Sequence, residues 1–178
     1  MKKEIIKPTL VLLLVTLFSA AVIGVTHAVT LEPIQQQRAN AEMAAITALF
    51  PHTYTTERHA IEEESSSLTG FALCFDRDNK IIGYVFSASP AGYSGRIHMM
   101  VALDYNAVVQ GIRIINHTET PGLGSNITQG WFIGAFPGQS GMMNANDVPV
   151  VTGATVSVNA VLRGVNDAIA YMKGSNRL

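Results

Sequence analysis

An uncharged N-terminal stretch restricts the possible folds of this chain more than any other feature of the sequence. Residues 8–31 contain no Asp, Glu, Lys or Arg, and their apolar core, residues 10–29, is twenty residues long. A helix of about 20 apolar residues crosses the roughly 30 Å hydrocarbon core of a bilayer. The sequence therefore predicts one transmembrane helix, with residues 1–30 forming a cytoplasmic N-terminus and this anchor.

The flanking residues predict the orientation of that helix. Lys2, Lys3 and Lys7 precede the apolar stretch, and positive charge is retained on the cytoplasmic side of a membrane. We therefore expect a single-pass protein of the plasma (inner) membrane, whose remaining chain is extracytoplasmic or periplasmic. The alternative is a cleaved signal peptide, since residues 26–28 loosely resemble a cleavage site. The apolar stretch exceeds the usual length of about 7–15 residues in a signal peptide, which favours a retained anchor.

Composition excludes several classes of function. From Thr30 onward the chain has nine Lys and Arg against twelve Asp and Glu, without a basic cluster, so we expect no binding of nucleic acid. The histidines do not show the spacing of metal ligands, and we expect no metal site. Cys74 is the one cysteine, which excludes an internal disulfide and a four-cysteine iron–sulfur cluster. Its apolar neighbours predict a small side chain in the core.

Residues 31–69 are predicted to connect the anchor to the main domain. Residues 32–50 have a helical composition, and the helix is expected to end before Pro51, because the residue preceding a proline disfavours helix. Residues 51–69 are polar and include Glu62–Glu64. We expect them to form a solvated loop rather than a metal site.

Residues 70–178 are predicted to form one domain of α+β class. Turn residues separate four strand-like runs into two hairpins. These hairpins join residues 70–75 to 81–88 and residues 97–103 to 107–115. For residues 128–136 the periodicity fits a helix and a strand equally well. The order of elements predicts a mainly antiparallel sheet with flanking helices.

The segment Val151–Ser157 places two threonines around a Gly-Ala pair, directly before an amphipathic helix. Apolar residues recur at helical spacing from Val158 to Met172, so one face of that helix is expected to be buried. Residues 148–151 are predicted to be a strand or an extended segment. The start of a helix offers unpaired N–H groups and a positive dipole end, which suits a phosphate. The alternative is that Thr152 and Thr155 are a helix cap and an ordinary first-turn residue.

Two further segments contain glycine-rich turns. In His117–Gly124 the Pro-Gly pair is a turn signal, and glycines permit close approach of a flat ring because no Cβ intrudes. By itself this segment is also consistent with a surface loop. Gly92–Gly95 is a shorter fragment of the same character, followed by an apolar run.

Together the three segments resemble the FMN-binding domain shared by the G subunit of Rnf electron-transport complexes and the C subunit of sodium-pumping NADH:quinone reductase. The resemblance implies that Thr155 carries FMN covalently through a phosphoester. It implies that a flavin transferase, using FAD and Mg²⁺, recognises the turn Thr152–Ala154. It also implies that backbone N–H groups and a serine hydroxyl at the helix start hold the phosphate. The second segment would line the isoalloxazine. The implied binding residues are, in the turn and helix start, Thr152, Gly153, Ala154, Val156 and Ser157, and in the second segment Glu119, Thr120, Pro121, Gly122, Leu123 and Gly124.

The resemblance also implies a function. An Rnf-type G subunit is a membrane-anchored flavoprotein that relays electrons between other subunits of an ion-translocating complex, and such a relay needs no catalytic residue. One departure stands out: Pro149 occupies the position where the family usually has an aspartate, and the nearest acid is Asp147. Two alternatives are an extracytoplasmic flavin-dependent reductase with its own small-molecule substrate and an envelope scaffold without flavin.

Overall fold

The structure is a computed structural model that describes residues 2–61 and 66–174. Within these residues, three helices and five strands follow one another, with two 3-10 turns at Gly124–Thr128 and Ala145–Asp147. The elements are α1 Lys2–Leu49, β1 Thr55–Ala60, β2 Leu68–Phe75, β3 Ile81–Ala88, β4 His98–Leu103, β5 Val109–Asn116, α2 Gly130–Ile133 and α3 Thr155–Gly174. The chain divides into two compact units, Met1–Ala41 and Glu42–Leu178.

The first unit extends to Ala41 and contains the apolar part of α1. An 18-residue window in this helix has a mean hydropathy of 2.4, and none of that window is buried. By length and composition, the helix can cross a membrane.

The second unit is built on an antiparallel sheet in which each strand pairs with its neighbours in sequence, in the order β1-β2-β3-β4-β5. Both predicted hairpins are confirmed, and the same device closes each one. The Asp76 carboxylate accepts hydrogen bonds from the N–H groups of Asp78 and Lys80, each at 2.9 Å. Asp104 does the same with Asn106 and Val108, also at 2.9 Å. Such aspartate turns explain why these two hairpins can be predicted from the sequence.

The two faces of the sheet are covered by different helices. The α3 face, packed against α3, has large side chains such as Phe86, Met99 and Leu103. The α1 face, packed against the last turns of α1, has small ones such as Ala72, Cys74 and Ala102. Cys74 is fully buried there, which confirms the prediction of a small core side chain.

The last turn of α1 lies close to the α1 face because two strands have glycines beneath it. A Cβ on Gly111 would lie 2.9 Å from Leu49 Cδ2, and a Cβ on Gly83 would meet the ring of Phe50. The helix ends at Leu49, as the proline at position 51 predicts. Residues 42–49 therefore belong to the core of the second unit.

Three predictions need correction or completion. The expected loop at residues 51–69 is wrong at Thr55–Ala60, which forms edge strand β1 paired with β2. This strand is polar on both faces, so it lacks the alternation of apolar and polar residues by which a strand is recognised in a sequence. Glu62–Glu64 lie outside the described residues. Residues 148–151 do not join the sheet: Val148 has extended backbone, but its buried side chain packs with the α3 face. The ambiguous segment contains the short helix α2.

Candidate functional site

A tight turn leads directly into α3. The N–H of Ala154 donates to the carbonyl of Val151 at 3.1 Å, and Gly153 has a φ of +75°. A positive φ at the third position of such a turn is the type II arrangement that glycine adopts without strain. The Val158 N–H then donates to the Ala154 carbonyl at 2.9 Å, so Ala154 is the N-cap of the helix.

An alanine cap leaves the start of α3 without a side-chain acceptor. Alanine offers no oxygen to the N–H groups of the first turn, which belong to Thr155, Val156 and Ser157. The alternative interpretation of Thr152 as the cap is wrong, because it lies three residues before the first helical residue. Thr155 is that first residue, and its side chain is exposed. A free hydroxyl and free N–H groups therefore occur together.

A cavity of about 540 Å³ opens beside this helix start. Its wall combines the beginning of α3, the loop after β5 and one residue of the loop between β3 and β4. The lining residues are Tyr93, Glu119, Thr120, Leu123, Gly124, Gly153, Ala154, Thr155, Val156 and Ser157. The two predicted segments thus share one cavity, in which Glu119 and Ser157 are in contact although they lie 38 positions apart in the sequence.

Glu119 connects the three segments around the cavity. The residue is 4% exposed, and its Oε2 accepts a short hydrogen bond from the Ser157 hydroxyl. The N–H of Tyr93 donates to Oε2 at 3.2 Å, and the N–H of Ser94 donates to Oε1 at 3.1 Å. One carboxylate therefore holds together the β3–β4 loop, the loop after β5 and the first turn of α3.

These contacts keep Glu119 ionised. Burial raises the pKa of a carboxyl group, but three hydrogen bonds and the nearby His117 outweigh burial here, so the pKa of Glu119 lies below its usual range. Ring nitrogen Nδ1 of His117 accepts a hydrogen bond from the Glu119 N–H at 3.2 Å. The cavity wall therefore contains a buried negative charge.

Two glycines make room for that carboxylate. A Cβ on Gly124 would lie 2.8 Å from Glu119 Oε2 and 2.7 Å from the Ser157 Oγ, and a Cβ on Gly92 would meet Glu119 Oε1. Neither glycine has a positive φ. Close approach, rather than turn geometry, is thus the reason for glycine at both positions.

The structure separates the predicted site residues into two groups. Most line the cavity, whereas Thr152, Pro121 and Gly122 lie outside its lining. Gly122 has a φ of +75° and its N–H donates to the Ser125 Oγ at 2.9 Å, which is a turn role. The hydroxyl of Ser157 donates its hydrogen to Glu119, so the N–H is the group that Ser157 offers to an anion.

Sequence reasoning omitted Tyr93 from the site, although the Gly92–Gly95 fragment was the available signal. Tyr93 is 74% exposed and lines the cavity. Asp147 was the other open question, because of the proline at position 149. Its Oδ2 accepts a hydrogen bond from the Asn144 N–H at 2.8 Å, and the two residues form a capping box on a 3-10 turn. Asp147 therefore has a local structural role.

Comparison with known families identifies both parts of the chain. A model of the FMN-binding domain matches residues 92–170, and a model of the RnfG N-terminal region matches residues 1–49. The first match contains all the lining residues of the cavity. Residues 92–170 are therefore similar to the FMN-binding domain, and residues 1–49 are similar to the RnfG N-terminal region.

Individual relatives agree with this assignment. The G subunit of the ion-translocating oxidoreductase complex of Vibrio cholerae is 29% identical over 93% of this chain and 89% of its own length. The protein of that name from Methanosarcina acetivorans is 24% identical over 96% of this chain and 95% of its own length. In Clostridium ljungdahlii, the G subunit of the proton-translocating ferredoxin:NAD(+) oxidoreductase complex is 35% identical, over 52% of this chain and 55% of that protein.

A solved structure supports the fold. The C subunit of the Na(+)-translocating NADH-quinone reductase from Parabacteroides distasonis aligns with a TM-score of 0.57, covering 80% of this chain and 96% of its own. The two sequences are 16% identical, so this likeness concerns the fold. The predicted α+β class, with an N-terminal helix and an antiparallel sheet flanked by helices, is confirmed.

Proposed function

We propose that this chain is the flavoprotein subunit of an Rnf-type ion-translocating complex, and that it relays electrons through FMN attached covalently to Thr155. Its partners would be the other redox subunits of that complex. The first unit would anchor the protein in the plasma membrane, with the N-terminus cytoplasmic and the FMN-binding domain extracytoplasmic. Lys2, Lys3 and Lys7 before the apolar helix support this orientation.

One observation carries the proposal: the exposed Thr155 hydroxyl lies at an uncapped helix start inside the wall of a single cavity. The first N–H groups of α3 and its positive dipole end would hold the single negative charge of the phosphodiester that joins FMN to Thr155. The cavity volume lies within the range of about 300–1,000 Å³ that small-molecule sites occupy.

Attachment is a transfer from FAD that a separate flavin transferase would catalyse. Thr155 Oγ would bond to the FMN phosphorus while the pyrophosphate bond of FAD breaks. AMP leaves, and the hydroxyl proton passes to a base of the transferase. The turn Thr152–Ala154 protrudes with exposed residues at positions 152 and 153, which would allow the transferase to reach it.

A covalent link suits a carrier outside the cytoplasm. Occupancy of a non-covalent site follows the free ligand concentration, and flavin lost outside the cell would be diluted. Bound FMN would supply the redox chemistry, whereas the protein would orient the ring and exclude other reactions. Neither task requires a general acid or base.

The test is the intact mass of the full-length chain, purified from membranes after co-expression with a flavin transferase. The wild type is expected to gain the mass of one FMN and to fluoresce in a denaturing gel. Thr155→Val should lose both signals, and the matched variant Thr155→Ser, which retains a hydroxyl, should keep a measurable fraction of them. An unmodified wild type, beside a control substrate that the same transferase does modify, would rule out the covalent flavin and favour the scaffold alternative.

A further inference from the structure

We propose that the buried carboxylate of Glu119 sets the reduction potential of this site, holding it lower than a neutral residue at that position would. This inference rests on the function proposed above. It assigns to Glu119 a role in tuning the cofactor, in addition to its role in joining the three segments around the cavity.

The position of the carboxylate is fixed by the fold. Glu119 lies in the cavity wall with both carboxylate oxygens engaged by hydrogen bonds from Tyr93, Ser94 and Ser157. Gly92 and Gly124 lie close to the oxygens, and the residue is 4% exposed, so the carboxylate is held away from water. A charge held in this way acts on whatever occupies the cavity.

The charge of Glu119 is stabilised mainly by hydrogen-bond donors, and the nearby His117 makes a smaller contribution. Within residues 2–61 and 66–174, ion pairs join Arg58 to Glu42 and His59 to Glu57, and no Lys or Arg nitrogen lies within ion-pair distance of Glu119. The one basic neighbour is His117, whose Nδ1 accepts the Glu119 N–H. Hydrogen-bond donors stabilise an anion but leave its net charge in place. A field of negative sign therefore extends into the cavity.

That field acts on reduction in a defined direction. Addition of one electron, supplied by a neighbouring redox subunit, brings one negative charge into the cavity unless a proton enters with it. Two like charges repel, and the repulsion is stronger in a partly water-excluded cavity than in bulk water. Glu119 therefore disfavours the reduced state relative to a neutral side chain, which lowers the potential. The lowered pKa of Glu119 means that this charge is present throughout the neutral pH range.

The test is the midpoint potential of the flavin-loaded full-length protein, measured by spectroelectrochemistry at pH 7. Glu119→Gln removes the charge with nearly unchanged volume and should shift the potential upward. Glu57→Gln is the matched control, because it removes the same charge from the exposed strand β1, and it should leave the potential unchanged. Ser157→Ala keeps the charge but removes one hydrogen bond that stabilises it, and it should shift the potential downward.

The opposite shifts expected for Glu119→Gln and Ser157→Ala distinguish an effect of the charge from an effect of structural disturbance. Each variant disturbs the hydrogen bonds of the carboxylate, because Ser157→Ala removes one donor and the amide NH2 of Glu119→Gln cannot accept the N–H of Tyr93 or of Ser94 in place of the oxygen it replaces. A structural disturbance alone would therefore move the two potentials in the same direction. An upward or absent shift in Ser157→Ala overturns the proposal even where Glu119→Gln does not fold. No shift in a folded Glu119→Gln overturns it as well. A wild type without any flavin would instead refute the proposed function, together with this inference.

Discussion

The two faces of the sheet are built from different side chains and are covered by helices with different roles. The helix on the α3 face begins at the candidate site, and the helix on the α1 face continues into the apolar segment. Neighbouring residues on β3 show the difference in side chains: Phe86 packs on the α3 face among aromatic rings, with centroids 5.6 Å from Phe71 and 5.7 Å from Tyr171. Val85 points to the α1 face, among alanines and Cys74. The helix that covers the larger core also starts at Thr155 in the cavity wall, whereas the helix on the smaller core continues into the apolar anchor.

This arrangement has a consequence for mutations. A change on the α3 face alters both stability and the candidate site, because α3 contributes to each. A change on the α1 face alters how the end of the anchor helix packs and leaves the cavity-lining residues untouched. Variants that test this division are expected to differ in the size of their effects, and the largest effect is expected at the end of α1.

Removing the end of α1 should uncover the α1 face. A chain that begins at Glu42 keeps Ile46, Leu49 and Phe50, whereas one that begins at Pro51 loses all three. Burial of a large apolar side chain contributes about 1.5–3 kcal/mol, so the shorter chain should lose on the order of 5 kcal/mol. The readout is the reaction of Cys74 with a thiol reagent, followed by mass. Cys74 is fully buried, and protection of this thiol in the chain starting at Pro51 would contradict the prediction.

Replacing a buried isoleucine by alanine should lower the free energy of unfolding by different amounts on the two faces. Ile169 on α3 and Ile46 on α1 are both fully buried, and Ile→Ala in a core costs about 2–5 kcal/mol. We expect Ile169→Ala near the upper end of that range and Ile46→Ala near the lower end, measured by denaturant unfolding.

The reason is how each helix is held. Asp167 of α3 accepts hydrogen bonds from the N–H of Ser67 at 2.7 Å and from the hydroxyl of Ser67 at 2.6 Å. Asn166 forms two hydrogen bonds with Met143, each at 2.8 Å. These contacts prevent α3 from moving into a cavity, and incomplete relaxation is what makes a cavity costly. Equal losses for both variants would show that the faces are equally rigid.

The turn before α3 should tolerate a side chain poorly. Gly153 has a φ of +75° and a Cβ there would lie 3.1 Å from Leu123 Cδ2, so Gly153→Ala should cost about 1 kcal/mol or slightly more. Gly130→Ala is the control, since its Cβ would meet nothing within 4 Å. Thermal unfolding of both variants measures the difference. A Gly153→Ala protein as stable as Gly130→Ala would indicate that the turn is relaxed.

The smallest effects should appear in the pH dependence of stability, with opposite signs for the two faces. The pKa of Glu119 is lowered in the folded state. Its contribution is therefore present above the ordinary glutamate pKa of about 4.3 and is lost as the pH falls through the folded-state value. Burial raises the pKa of Cys74, and the nearby Thr53 side chain offsets this in part. The Cys74 contribution is present below the ordinary thiol pKa of about 8.5 and is lost as the pH rises through the folded-state value.

Urea unfolding across pH 3–10 measures both ends of that range. Glu119→Gln should flatten the acid limb of the stability profile relative to the wild type, and Cys74→Ala should flatten the alkaline limb. If either variant changed the opposite limb instead, the assignment of that group would be incorrect.

Much of the fold could be predicted because its signals are local. Asp76 and Asp104 each close a hairpin through hydrogen bonds to residues two and four positions later, and a short sequence window contains that information. Strand β1 could not be predicted, since it is polar on both faces and is held by pairing with β2. The aromatic contact of His59 with Phe71, with centroids 5.0 Å apart, depends on the same pairing.

The sequence motifs of the candidate site could be predicted, but the spatial arrangement of their residues could not. The segments 119–124 and 152–157 were recognised from a resemblance, and the roles of their residues toward FMN remain predictions. No spacing in the sequence predicts that Glu119 buries its carboxylate against Ser157 and the β3–β4 loop. Such long-range contacts depend on how α3 packs across the sheet. For the same reason Tyr93 was missed.

The apolar helix, the two hairpins, the glycine turn before Thr155 and the amphipathic face of α3 follow from the sequence alone, since each depends on residues within a few positions of one another. Packing of the chain is what brings the end of α1 into the core and joins two loops and the first turn of α3 at one buried carboxylate. These features require side chains distant in sequence to exclude water together, and burial is a property of the packed chain rather than of any segment.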